Sequence, residues 1–193
     1  MRKFLLTLFL FSSLSVVADE RGEKRLNTIA NYYSTMGSYT VSFTLSAGGG
    51  EQKGELVVSG DNSYMRIADT EVFVDGGVRY EVRGTSKEII IDKAELYEKE
   101  LLNPTNGFAS LKANYNVEEC EMEGAVAVRL TPKKSGETIY IITGNGGVSI
   151  AKVRYSSGEN RAEMSVVRCQ KSSGTIPTFS KDRYKGFDLI DFR

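Results

Sequence analysis

The chain has 193 residues, with 25 basic and 25 acidic side chains, so its formal net charge is zero. This balance argues against a nucleic-acid partner, because proteins that bind nucleic acid usually carry a basic face. Histidine is absent, which removes the commonest general base and the commonest metal ligand. We therefore expect no catalytic residue, metal site or cofactor.

The first 18 residues have the pattern of a secretory signal peptide. Two basic residues precede an almost wholly apolar stretch at 4–11, which is too short to span a membrane. Small or compact residues then end at Ala18, so cleavage is predicted between Ala18 and Asp19. The remaining chain, 19–193, has a net charge of −2 and is long enough for one domain with a substantial core.

An amphipathic helix is predicted from Asp19 to Met36. Asp19 suits its start and Gly37 suits its end, where a left-handed residue is wanted. The apolar residues recur at helical spacing and form one stripe, which should lie on a sheet. They are Leu26, Ile29, Ala30, Tyr33 and Met36.

From Tyr39 the apolar period changes to two, which indicates a half-buried strand through Leu45. Five more short strands should follow, because each apolar run is bounded by turn residues. They are centred on Leu56 and Val58, Met65 and Ile67, Glu71–Asp75, Val78–Val82 and Lys87–Ile91.

The segment Asp92–Leu111 interrupts the strands with helical spacing at Ala94, Tyr97 and Leu101. A second short helix should restart at Asn103, because Asn is a good cap and Pro follows it. Strands then resume as consecutive hairpins, and the residues after Gly174 are predicted to be irregular. The later strands are Tyr115–Met122, Ala125–Thr131, Glu137–Thr143, Val148–Tyr155 and Asn160–Cys169.

These elements predict an α+β fold that is mostly β. A meander of about eleven strands tends to curl, so we expect an unclosed antiparallel half-barrel with helices covering its concave face. Such an arrangement encloses an apolar cavity.

Cys120 and Cys169 are the two cysteines, and an exported chain meets an oxidising compartment. They are a possible disulfide, although two buried free thiols remain the alternative, since sequence cannot show whether the Cα atoms lie within about 7 Å.

Several short phrases, in their order along the chain, resemble the periplasmic outer-membrane lipoprotein carrier family (LolA type). The last phrase is similar to the ending of carriers from the Bacteroides-like branch. Each phrase is weak alone, but together they cover nearly the whole of 19–193. They are Ser42–Leu45, Gly54–Val58, Val74–Tyr80, Asn103–Phe108, Val128–Lys133 and Tyr184–Arg193.

This resemblance implies an unclosed, roughly eleven-stranded barrel lidded by helices. It also implies a monomeric periplasmic carrier that accepts acylated lipoproteins from an inner-membrane ABC transporter, shields their acyl chains and releases them at the outer membrane or its receptor. One stretch departs from the family pattern. Where the well-studied branch has an Arg that latches the lid, Ser59–Asn62 contains none.

An acyl chain needs a large apolar surface without unpaired polar groups. The alternating strand faces and the helical insertion supply candidates for a lipid-binding cavity, and Leu101, Phe108 and Leu111 should hold the lid closed by apolar contacts. Aromatic members of the set could equally be ordinary core residues. The full set is Met36, Val41, Phe43, Leu45, Leu56, Val58, Tyr64, Ile67, Val78, Tyr80, Leu101, Phe108 and Leu111.

Two other functions remain open. An envelope adaptor could use the same fold to hold another lipid or a protein partner. An enzyme is least favoured, because the sequence shows no triad or metal cluster. Lipid that co-purifies with the protein would separate the two binding functions from the enzyme.

Overall fold

The fold is known from a computed structural model that describes residues 13–94, 100–157 and 160–193. The part of the predicted signal peptide before Ser13 and residues 95–99 of the predicted helical insertion lie outside these ranges. Helix α1 (Ser13–Ser34) comes first, and the short helix α2 (Ala109–Asn114) lies between the two runs of strands.

The strands of the described chain form a single sheet. In chain order they are β1 (Ser38–Ala47), β2 (Gly50–Ser59), β3 (Asn62–Ile67), β4 (Thr70–Asp75), β5 (Val78–Arg83), β6 (Glu88–Lys93), β7 (Tyr115–Met122), β8 (Ala125–Pro132), β9 (Thr138–Gly144), β10 (Ser149–Ser157), β11 (Asn160–Lys171) and β12 (Asp188–Asp191).

The sheet consists of two antiparallel meanders, β1–β6 and β7–β11, which meet where β1 pairs with β11. Its edges are β7 and β12, so the sheet is unclosed. The predicted fold class is confirmed, with one strand more than expected. The extra strand, β12, pairs parallel with β6 in a region that the sequence analysis treated as irregular.

Helix α1 begins at Ser13, so the prediction that Asp19 caps its start is wrong. The prediction that Gly37 follows the end of α1 as a left-handed residue is confirmed, because Gly37 has a φ of 69°, a value that favours glycine. Gly22 allows α1 to lie directly on β7, since an added Cβ would sit 2.8 Å from Cγ1 of Val117. The apolar stripe of α1 is buried against the sheet, as predicted.

The helical insertion is shorter than predicted, because Asp92 and Lys93 still belong to β6. Residues 100–102 are helical, and a 3-10 helix follows at Pro104–Asn106. Asn103 caps that helix by accepting a hydrogen bond from the backbone N of Thr105 at 3.3 Å. We call residues 100–114 the lid.

No helix within the described ranges combines the length and apolarity needed to cross a membrane.

Candidate functional site

The inner face of the sheet, defined as the face that packs under α1, carries a continuous apolar surface. The register of the strands aligns the side chains of this surface in rows. Val41 lies opposite Leu56, Leu56 opposite Met65, and Met65 opposite Val72. Because paired residues of antiparallel strands point to the same face, each row crosses four strands on one side of the sheet.

Ten of the thirteen predicted lining residues come together on this inner surface. Seven of them are at most 4% exposed, and the rest are partly buried against the same cluster. The ten are Met36, Val41, Phe43, Leu45, Leu56, Val58, Ile67, Leu101, Phe108 and Leu111.

Tyr64, Val78 and Tyr80 are corrections to that prediction, because they lie on the outer face of the sheet. Tyr64 and Ile67 are three residues apart on β3, and side chains alternate along a strand, so the two cannot line one cavity. The alternation of side chains along β3 was therefore the signal in the sequence that separates Tyr64 from Ile67, and the prediction did not use it.

The C-terminal segment 175–193, which we call the strap, covers these residues of the outer face. Phe179 stacks on Tyr80 with ring centroids 4.3 Å apart, and Tyr184 is buried beside Phe73. The hydroxyls of Tyr64 and Tyr184 both donate to the carboxylate of Glu71, at 2.6 and 2.8 Å. Aromatic contacts and a shared carboxylate therefore hold the strap in place.

Two amide side chains of the lid bind the turn between β2 and β3. Nδ2 of Asn103 donates to the carbonyl oxygen of Gly60 at 2.6 Å, and Nδ2 of Asn106 donates to Oδ1 of Asp61 at 2.5 Å. This turn is the stretch where the family's latch Arg is missing. The lid therefore has polar anchors that the sequence analysis did not predict, in addition to the apolar contacts that it did.

The lid is also braced internally by Glu100. Its two carboxylate oxygens accept the backbone N–H groups of Ser110 and Leu111, at 2.6 and 2.8 Å. These groups open α2, where N–H groups lack helical partners. Leu101 and Leu111 are consequently held together on the buried side of the lid.

The hydroxyls of Tyr39 of β1 and Thr105 of the lid are buried beside each other between lid and sheet. Burial raises the pKa of Tyr39 well above its usual value, and the neighbouring Thr105 hydroxyl lowers it by a smaller amount. The geometry of the pair falls short of a well-formed hydrogen bond. A poorly paired buried hydroxyl costs free energy, so this part of the lid contact is less favourable than the apolar part.

Cys120 and Cys169 are both free, which agrees with the second of the two alternatives that the sequence left open. Three strands separate β7 from β11, which places the two residues roughly 19 Å apart along the sheet. They also lie on opposite faces, with Cys169 packed against the inner cluster. Burial raises the pKa of both thiols, which favours the unreactive protonated form.

No protein-family model and no curated protein matches this sequence. Among solved structures, the chain is similar to an uncharacterised conserved protein from Thermus thermophilus. The TM-score is 0.53 at 7% identity, and the match covers 89% of this chain and 99% of the other. Identity this low is evidence of a common fold alone.

Two further structures are less similar. One is the MucA/MucB complex of Pseudomonas aeruginosa, with a TM-score of 0.47 and 15% identity over 86% of this chain and 61% of that chain. The other is a domain from Vibrio parahaemolyticus named for outer membrane lipoprotein sorting, with a TM-score of 0.46 and 9% identity over 89% and 97%.

An unclosed antiparallel sheet with helices on its concave face is the architecture that the family resemblance implied. The chain shares its fold, at a TM-score of 0.53, with the Thermus thermophilus protein. Within the residues that the structure describes, the inner surface is covered by α1 and the lid, and by no second sheet. Within those residues, no group of three or more acidic or cysteine side chains is arranged to hold a metal ion.

Proposed function

We propose that the protein is a periplasmic carrier that shields the acyl chains of lipoproteins during their transfer from the inner to the outer membrane. The observation that carries the proposal is the continuous apolar inner surface, which lies beneath a helix and a lid and not beneath a second sheet. Helices attached at their ends can move away from a sheet as units, whereas the sheet itself stays paired.

The free energies are of the right size for a carrier. An acyl chain of about 15 methylene groups gains roughly 12 kcal/mol when it leaves water, at about 0.8 kcal/mol for each group. The anchors from Asn103 and Asn106 each contribute only about 0.5–1.5 kcal/mol net. An entering chain therefore offsets the loss of the polar anchors, and part of its gain replaces the apolar contacts of the lid.

The poorly paired hydroxyls of Tyr39 and Thr105 support the same view. They lie in the contact that must separate when the lid moves, and separation gives both groups access to water. The closed arrangement is thus stabilised by apolar burial and opposed locally by polar desolvation, as expected of a lid that has to open.

The proposal is tested by native mass spectrometry of protein purified from a periplasmic extract. We expect a bound acylated species, and solvent extraction should return fatty acyl chains. A protein partner that co-purifies without acyl chains would instead favour an envelope adaptor. Protein that stays free of acyl groups and fails to bind a fluorescent acyl probe would overturn the carrier function.

A further inference from the structure

A cavity lies at the edge of the lid, between the lid and the inner face of the sheet. Its volume is about 430 Å³. Ser63 and Val74 contribute from β3 and β4, Asp61 contributes from the β2–β3 turn, and Glu100 and Asn103 contribute from the lid. We call this cavity the acidic chamber.

The described charged residues that line the acidic chamber are all acidic. Asp61 and Glu100 are both carboxylates, and no described residue of the lining is a lysine or arginine. Arg79, which lies opposite Val74 on β5, is paired with Glu81. The oxygens of Glu100 face the opening amides of α2. Asp61, which is exposed on its turn, accepts from Asn106 through Oδ1, and its Oδ2 makes no hydrogen bond within the described residues. The chamber therefore favours a cationic group and disfavours an anion.

Ser63 adds an unpartnered hydroxyl to the lining of the chamber. The residue is only 7% exposed, it lines the chamber, and its hydroxyl has no hydrogen-bond partner within the described chain. Buried hydroxyls are normally paired, so the chamber presents an unused polar group beside an unused carboxylate oxygen.

The chamber is continuous with the apolar inner surface. Ser63 lies directly opposite Val58 across the β2–β3 pair, and Val58 is fully buried in the inner cluster. Paired Cβ atoms of neighbouring strands are about 5 Å apart. A single amphiphile could therefore place its chain along the inner surface and its polar end in the chamber.

We propose that the acidic chamber binds the primary ammonium group of an amphiphile whose acyl chain occupies the inner surface. An ammonium has three donors and no acceptor, which suits the acceptors offered by Asp61 and Ser63, while the Glu100 carboxylate adds negative charge. A divalent metal is a poorer match, because two carboxylates do not complete a site of six or more oxygens. This inference rests on the proposed acyl-binding function and adds a headgroup class to it.

The experiment compares the affinities of dodecylamine, dodecanol and dodecanoate at neutral pH. We expect dodecylamine to bind about tenfold more tightly than dodecanol, as one charge-assisted hydrogen bond allows, and dodecanoate to bind most weakly. Asp61→Asn and Ser63→Ala should each reduce the preference for the amine. The matched control Asp188→Asn, on the far edge strand β12, should retain it.

The outcomes separate the two proposals. Equal binding of the amine and the alcohol would overturn the ammonium site and leave the acyl carrier standing. Failure of all three amphiphiles to bind would overturn the acyl-binding function itself. The last measurement is the affinity of ethanolamine alone. Binding of ethanolamine as tight as that of dodecylamine would show a small-amine site and would overturn the amphiphile assignment.

Discussion

Asn103 joins the lid to the sheet by donating a hydrogen bond of 2.6 Å to the carbonyl oxygen of Gly60, 43 residues earlier in the chain. The amide is nearly buried, and its oxygen also accepts the N–H of Thr105. One side chain therefore both caps the 3-10 helix and fixes it to the β2–β3 turn.

We expect Asn103→Ala to loosen the lid. The variant leaves the Gly60 carbonyl without its partner, which costs about 1–3 kcal/mol, so an acyl probe should dissociate about tenfold faster. Stopped-flow displacement of a fluorescent probe measures the rate. Asn31→Ala, at an exposed amide on α1 that does not contact the lid, is the control and should release the probe at the native rate. An unchanged rate in the Asn103 variant would refute the anchor.

A charge on the inner surface should abolish acyl binding. Leu45→Glu is the better variant, because Leu45 is only partly buried against the cluster and the fold should survive. Phe43→Glu should also abolish binding but with a larger loss of stability, since Phe43 is almost fully buried. Val167→Glu, at a position that is 69% exposed on β11, is the control. Native-like probe binding by folded Leu45→Glu protein would rule out this surface as the site.

Alkaline pH should loosen the strap. Burial, and then the hydrogen bond to Glu71, raises the pKa of Tyr64 from 10.0 to about 12. Below pH 10 the phenol is protonated in the folded and unfolded states, and its contribution to stability is complete. Between pH 10 and 12 the unfolded chain ionises first, so that contribution is lost as pH rises through the folded pKa.

Urea unfolding at successive pH values tests this expectation. The native protein should lose stability steadily above pH 10, and Tyr64→Phe should lose less over the same interval, because it has no phenol to ionise at this position. Identical pH profiles for the two proteins would argue against the Tyr64 contribution.

Thiol chemistry should show two free cysteines. The unreduced, denatured protein should react with two equivalents of a thiol reagent, because Cys120 and Cys169 are too far apart to bridge. A disulfide would typically contribute about 2–4 kcal/mol, so reducing agent should leave the unfolding midpoint unchanged. Absence of reactive thiols would contradict the observed strand order.

Residues 1–18 should be dispensable for folding. The stripe Leu26–Tyr33, which packs α1 on the sheet, lies entirely beyond the predicted cleavage site between Ala18 and Asp19. Protein secreted from the full chain should begin at Asp19 by N-terminal sequencing. A chain that starts at Asp19 should unfold at the native urea concentration, and a large loss of stability would show that the earlier part of α1 contributes to packing.

The sequence predicted the fold class and most inner-surface residues because local periodicity carries that information. Val41 and Leu56 alternate with polar residues, and the face on which they lie follows from one pattern within each strand. Phe108 and Leu111 were also placed on the buried side of the lid, since helical spacing and the Asn103-Pro104 signal are local.

The side of the sheet on which Tyr64 and Tyr80 lie could not be read in the same way. An alternating strand shows which residues share a face, but not which element covers that face. Here the cover is the strap, and the strap has no apolar periodicity of its own. Phe179 and Tyr184 were visible as aromatic residues in the tail, but their partner strands were not.

The parallel pairing of β12 with β6 has a consequence for how the chain matures. The residues of β12 protect the edge of a strand made about 100 residues earlier. Until they are made, β6 exposes unpaired backbone groups that can recruit another chain, and contacts between such distant segments form slowly. The sheet therefore gains this border only once residues 188–191 are free to pair, and a chain that stops before them would leave the edge of β6 unpaired.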